Sequence, residues 1–147
     1  MHSAKNFFSA EQVKAIESAI KSAEENSSGE IRVHIENRCK GDELLCATKT
    51  FHKLGMHKTD LRNGVLFYLA VKDKRFAIIG DGGINAKTGP HFWDEIKAMM
   101  EGHFRKGEFA IGLENGVRLA GDALKKHFPY KKDDKNELSD DIVFGKS

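Results

Sequence analysis

The stretch that most constrains this chain is Val65-Leu-Phe-Tyr-Leu-Ala-Val71, seven uncharged and mostly apolar residues in a row. A run of that length, rich in β-branched and aromatic side chains, reads as a strand buried on both faces. Lys72-Asp73-Lys74 after it is a short charged turn, so Arg75-Phe-Ala-Ile-Ile-Gly80 folds back antiparallel to it. Asp81-Gly-Gly-Ile-Asn85 then reads as a polar, glycine-rich loop that carries a carboxylate on a freely bending backbone. A functional site is expected there first.

The segments before this hairpin supply a parallel partner for it. Ser9-Ala-Glu-Gln12 has the form of a capping box and opens a helix to about Asn26, with Val13, Ile16 and Ile20 on one side and Phe7 or Phe8 as a staple. Glu30-Ile-Arg-Val-His-Ile-Glu36 alternates, with Ile31, Val33 and Ile35 on one face. Arg32, His34 and Glu36 occupy the other, so the expectation is a strand with one solvated face at or near a sheet edge. Asp42 caps a second helix bearing Leu44, Ala47, Phe51 and Leu54. Strand, helix and buried strand form a βαβ unit, whose two strands run parallel.

After the hairpin, Thr88-Gly-Pro90 starts a third helix with Phe92, Trp93, Ile96, Met99 and Met100 as its apolar side. A fourth runs from Glu108 to about His127 along Phe109, Leu113, Val117, Ala120 and Leu124. Gly112 and Gly116 on or beside that stripe imply close packing on a neighbour. The order is αβαββαα on a small mixed sheet, an α/β fold. Residues 1–8 are an N-terminal segment, 9–128 the domain, and 129–147 a charged tail expected to be disordered or loosely docked. Leu138, Ile142, Val143 and Phe144 are the tail residues able to dock on the domain or on a partner.

Composition excludes more than it selects. At 147 residues the chain suits one domain, and a net charge of +2 with scattered Lys and Arg argues against a nucleic-acid partner. No run is long enough for a transmembrane segment. The N-terminus lacks the pattern of a signal peptide, so a cytoplasmic location is expected. Cys39 and Cys46 match neither a redox pair nor a zinc pattern and are expected as free thiols. His34, His52 and His57 are expected at the surface.

Strand direction concentrates the candidate chemistry at one rim. Glu30 starts the first strand, Asp60, Arg62 and Asn63 lead into the second, and Asp81 follows the third. The fourth helix brings Asp122 back to the same end. Glu30, Asp60, Asp81 and Asp122 are therefore candidate metal ligands for Ca²⁺ or Mg²⁺, with Arg62, Asn63, Gly82, Gly83 and Asn85 in support. The alternative from the same spacing makes Asp60 and Asp81 turn residues and pairs Glu30 with Arg62. Gly80-Asp-Gly-Gly-Ile-Asn85 is not a dinucleotide fingerprint, and no Walker A, H-E-x-x-H or G-x-S-x-G motif is present.

Four stretches in order resemble the TPM domain: Ser28-Gly-Glu-Ile-Arg-Val33, Arg62-Asn-Gly-Val-Leu66, Arg75-Phe-Ala-Ile-Ile-Gly-Asp-Gly-Gly-Ile84 and Phe104-Arg-Lys-Gly-Glu-Phe-Ala-Ile-Gly-Leu113. That family takes its name from a thylakoid-lumen phosphatase, a photosystem II repair protein and an acetylcholine-receptor modulator. The resemblance covers roughly residues 9 to 128. It implies an αβα sandwich with a Rossmann-like layer, a divalent-cation site and, in some members, a phosphatase activity. This chain resembles a short, soluble, bacterial-type form. The family's loop commonly reads Gly-Tyr-Gly-Leu-Glu with an Asp shortly after; here Asp81 stands for the aromatic residue and Asn85 for the acid. Two functions follow from the resemblance. One is a non-catalytic cation-binding module assisting assembly or repair of a partner complex. The other is a metal-dependent phosphatase acting on phosphomonoesters, with Arg62 holding phosphate and Asp81 or Asp122 holding the metal or orienting water.

Overall fold

A computed structural model describes residues 3–89, 91–130 and 142–145. Helix α1 (Ala10–Glu25) starts at the expected capping box, with Ser9 Oγ accepting from the Gln12 N–H and the Gln12 side chain accepting from the Ser9 N–H. Strand β1 (Glu30–Glu36) and strand β2 (Gly64–Ala70) pair in parallel across α2 (Glu43–Lys53), which Asp42 caps. Strand β3 (Arg75–Gly80) returns antiparallel to β2, from Val65 opposite Gly80 to Ala70 opposite Arg75. Every residue of β2 is buried, as its composition demands.

The two faces of β2 sort the core into two layers. Ile31, Val33 and Ile35 join Val65, Phe67 and Leu69 under α1 and two later helices, α4 (Phe92–Arg105) and α5 (Phe109–His127). Leu66, Tyr68 and Ala70 face the other way and pack with Ala47 and Phe51 of α2. Period-two alternation sends successive residues to opposite sides, so a wholly apolar strand demands cover on both. Gly112 and Gly116 serve the close packing expected of them. A Cβ at Gly112 would lie 2.9 Å from the Phe104 ring, and one at Gly116 would lie 2.7 Å from Met100 Sδ and 3.1 Å from the Phe67 ring.

Four local expectations are corrected. The glycine-rich stretch after β3 is a short helix, α3 (Gly82–Thr88), with Asp81 at its N-cap. The tail also contributes to the fold. Ile142 is buried in the larger core, and strand β4 (Val143–Phe144) pairs parallel to β1 at His34 and Ile35, giving the sheet order β3-β2-β1-β4. Leu138, the other apolar tail residue, lies outside the described residues, as does Pro90 before α4. Strand β1 is thus one strand in from the edge, near it as expected, with the two-residue β4 outside it.

The third correction is His34, which is 7 % exposed where a solvated face was expected. Its ring stacks on Tyr68 at 5.8 Å, and Tyr68 Oη donates to Glu36 Oε2 at 2.5 Å. Neither imidazole nitrogen has a hydrogen-bond partner among the described residues, and Glu36 Oε1 stands 3.6 Å away. Burial pushes the imidazole below its ordinary value near 6.5; Glu36 opposes that shift, while Lys53 and Arg32 add to it. Burial and its Glu36 hydrogen bond push the Tyr68 phenol up. Because folded His34 binds its proton more weakly than the unfolded chain does, its contribution to stability is complete above about pH 6.5 and declines as pH falls through the folded value. Urea midpoints measured from pH 7.5 to 5 are expected to fall more steeply for the wild type than for His34→Phe, which keeps the ring stack without the titration. Equal slopes sink the idea.

The fourth correction is the cysteine pair. Cys39 and Cys46 form a disulfide with their Cα atoms 6.1 Å apart. Neither motif nor spacing revealed it, because the turn from β1 into α2 brings the two residues together. Asp73 Oδ2 accepts from the Cys39 N–H at 2.7 Å and fixes that turn to the β2–β3 connection. A disulfide is at home in an oxidising compartment, so the cysteines lend no support to a cytoplasmic location. No helix among the described residues is long and apolar enough to cross a membrane.

The docked tail has a direct test. Removing residues 142–147 deletes the Ile142 burial and the hydrogen bond from the Gly145 N–H to Ile35 O at 2.8 Å. The expected cost is about 1.5 kcal/mol, together with faster amide exchange at residues facing β4. An unchanged denaturation midpoint means that β4 does not hold this edge.

Candidate functional site

The candidate rim lies where β1 and β2 begin and β3 ends. The Glu30 N–H donates to Asn63 O at 3.4 Å, and the Asp81 N–H donates to Gly64 O at 2.9 Å. Register therefore places Glu30, Asn63 and Asp81 side by side at one end of three adjacent strands, as strand direction required. Asn63 is 1 % exposed, with its side-chain N–H 3.5 Å from Ser28 Oγ. Glu30 is 3 % exposed and Asp81 6 %.

Arg62 holds this rim together, and its partner is Asp81 rather than Glu30. Its Nε donates to Asp81 Oδ2 at 2.6 Å and its Nη2 to Asp81 Oδ1 at 2.7 Å, a bidentate fork. Planar guanidinium matches carboxylate geometry, so such pairs are short and directional. The Asp81 carboxylate raises the pKa of the Arg62 guanidinium further, leaving it charged at any accessible pH. Asp81 Oδ1 also accepts from the Gly82 N–H at 2.8 Å and so caps α3. One carboxylate thus starts a helix and anchors the loop across from it.

The backbone at Arg62 is equally committed. Its φ is +52°, a left-handed conformation that costs a residue with a Cβ about 1–2 kcal/mol. That conformation turns Arg62 O toward α3, where it accepts from the Gly83 N–H at 2.7 Å and the Ile84 N–H at 3.3 Å. Gly83 is needed for this approach: a Cβ there would overlap the Leu61 carbonyl oxygen and lie 2.6 Å from that of Arg62. Asn85 on the next turn donates to Gly80 O at 2.7 Å and accepts from Trp93 Nε1 at 2.6 Å. Trp93, which its spacing placed only among apolar residues of the third helix, is the tie between α4 and this loop.

The remaining candidates stand apart. Asp60 and Asp122 are exposed, and among the described residues no hydrogen bond or ion pair joins either to Asp81. Nor, among those residues, is any group of three or more His, Cys, Asp or Glu disposed to hold a metal ion. The predicted ligands do not form a ready cation cage, because Arg62 takes both oxygens of Asp81. Burial of Glu30 and Asn63 beside the pair makes the rim polar and preorganised, with the Arg62 side chain 55 % exposed above it.

Comparison with known proteins decides the family. The family model of the TPM domain matches residues 2–123. This chain belongs to the TPM domain family. A solved structure of the BA42 protein from the psychrophilic bacterium Bizionia argentinensis is 47 % identical over 99 % of this chain and 100 % of that one, with a TM-score of 0.89. The N-terminal domain of a protein from P. gingivalis shares 20 % identity over 85 % of this chain and 83 % of its own length, at a TM-score of 0.67. That of the cg2496 protein from Corynebacterium glutamicum shares 14 % over 80 % and 74 %, at 0.64. The last two show a shared fold alone. Among curated proteins nothing matches. Within this TPM domain, the loop that carries Asp81 is occupied by the Arg62 fork.

Proposed function

We propose that this TPM-domain protein is a non-catalytic module that assists assembly or repair of a partner complex and responds to Ca²⁺ or Mg²⁺ at the Asp81 rim. The observation that supports this reading is the fork between Arg62 and Asp81. A phosphatase on this rim needs a carboxylate free for metal or water and a guanidinium free for phosphate. Here each neutralises the other, and Asp81 is further committed as the cap of α3. The same fork suits a module whose rim is a fixed surface. A divalent cation competes with Arg62 for Asp81, so binding is coupled to release of the loop.

Titrating metal-free protein with Ca²⁺ and then Mg²⁺ while following amide shifts tests this reading. Saturable shifts are expected at Gly64, Gly82 and Gly83, and Asp81→Ala abolishes them. Arg62→Gln removes the competitor and is expected to tighten cation binding roughly tenfold. No saturation at millimolar ion in either protein overturns the cation part of the proposal. Turnover of a generic phosphomonoester that requires Asp81 overturns the non-catalytic part and selects the phosphatase.

A further inference from the structure

The end of the sheet opposite the Asp81 rim holds a second feature, independent of the function proposed above. Where β3 begins, a groove of about 550 Å³ opens between β3, α4 and the N-terminal segment. Its apolar lining is a chain of half-buried rings. Phe7 meets Phe109 at 5.1 Å, Phe109 meets Phe104 at 5.2 Å, and Phe104 meets Phe76 edge-on at 4.8 Å. A volume of that size with aromatic walls lies within the range of small-ligand sites.

Charge at the mouth is one-sided. Lys74, Arg75, Lys97 and Arg105 line it, against Glu43 and Glu101. The two carboxylates each face an arginine, Glu43 at 3.8 Å from Arg75 and Glu101 at 3.7 Å from Arg105. Lys74 and Lys97 have no ion pair among the described residues. Lys97 Nζ sits 5.8 Å from the centroid of the Phe76 ring, which holds the ammonium at the junction of aromatic wall and solvent. Two ammonium groups without an ion pair among the described residues, set over an aromatic groove, favour a ligand with an apolar body and one negative end, and disfavour a cationic amphiphile.

We propose that this groove binds an amphipathic carboxylate, a medium-chain fatty acid or an aryl-alkanoic acid, with its carboxylate at Lys97 and Lys74 and its apolar body along Phe104, Phe109 and Phe7. The probe is decanoate, with decanol and decyltrimethylammonium as neutral and cationic controls, titrated into the full chain and followed by amide shifts. Decanoate is expected to saturate with a Kd of roughly 10–100 µM, shifting Leu69–Val71 and Phe104–Phe109. Decanol is expected to bind about tenfold more weakly and the cation more weakly still. Lys97→Glu is expected to remove the preference for decanoate over decanol while leaving the decanol shifts in place. Should that variant fail to fold, Lys74→Asn, at an exposed turn position with φ +54°, is expected to reduce the preference in the same direction. Equal or tighter binding of the cationic control overturns the proposal, as does a decanoate response that never saturates below 1 mM or that centres on the exposed Leu44 and Leu45. A second copy of this chain closing the groove would appear as decanoate-insensitive shifts with a tumbling time that shortens on dilution, and that result also overturns it.

Discussion

Gly83→Ala is expected to destabilise the domain by about 3 kcal/mol, the upper end of the usual cost of overpacking. The added methyl meets backbone carbonyl oxygens of Leu61 and Arg62, and the loop that carries them has nowhere to retreat. Its far side is fixed by the Arg62 fork on Asp81, and its end by the register of β2. At Gly82, one residue earlier, a methyl would find nothing within 4 Å, so Gly82→Ala is expected to be neutral or to stabilise by up to about 1 kcal/mol through reduced chain entropy. Urea denaturation of the two variants checks the contrast. If both behave alike, the close approach of loop and helix does not exist in solution.

Asp81→Ala is expected to cost about 2 kcal/mol, from loss of the α3 cap and of the two charge-assisted bonds that its buried carboxylate accepts. Asp81→Asn retains an acceptor for the Gly82 N–H and is expected to lose less. The Arg62 Nε–H resonance reports the same event without unfolding: it is expected to be shifted and protected from exchange in the wild type and to collapse to the solvent-exposed position in both variants. A loss below about 0.5 kcal/mol for Asp81→Ala would show that the fork is a surface pair of ordinary weakness. The neighbouring Gly80 is packed against Trp93 and Asn85, so the reference variants belong at Asp81 itself.

Most of the framework was legible because it rests on local signals. Periodicity placed α1, α2, α4 and α5, the capping box set the start of α1, and the apolar run of β2 announced a strand covered on both faces. Parallel pairing of β1 and β2 followed from the helix between them. That topology was enough to bring Glu30, Asn63 and Asp81 to one rim. The site itself was only half legible. Spacing offered Asp81 as a ligand or a turn residue, and offered Arg62 to Glu30; which carboxylate the guanidinium meets depends on the left-handed turn at Arg62, for which an arginine gives no signal.

Local pattern was sufficient for the α/β class, the order of the four long helices and the first three strands, and the family, because burial patterns and short motifs are properties of neighbouring residues. The long-range partners came from the folded arrangement alone. Gly82-Gly83, poor helix formers by themselves, begin α3 because Asp81 caps it and the Arg62 carbonyl receives its N–H groups from another loop. His34, on the face of β1 that reads as solvated, is buried because its ring stacks on Tyr68 and the chain's own tail returns from far along the sequence to bring Gly145 against it. Cys39 and Cys46 meet through a turn whose shape Asp73 fixes from the opposite hairpin. Contacts of that kind depend on where distant segments are held, and the chain's local pattern carries no record of them.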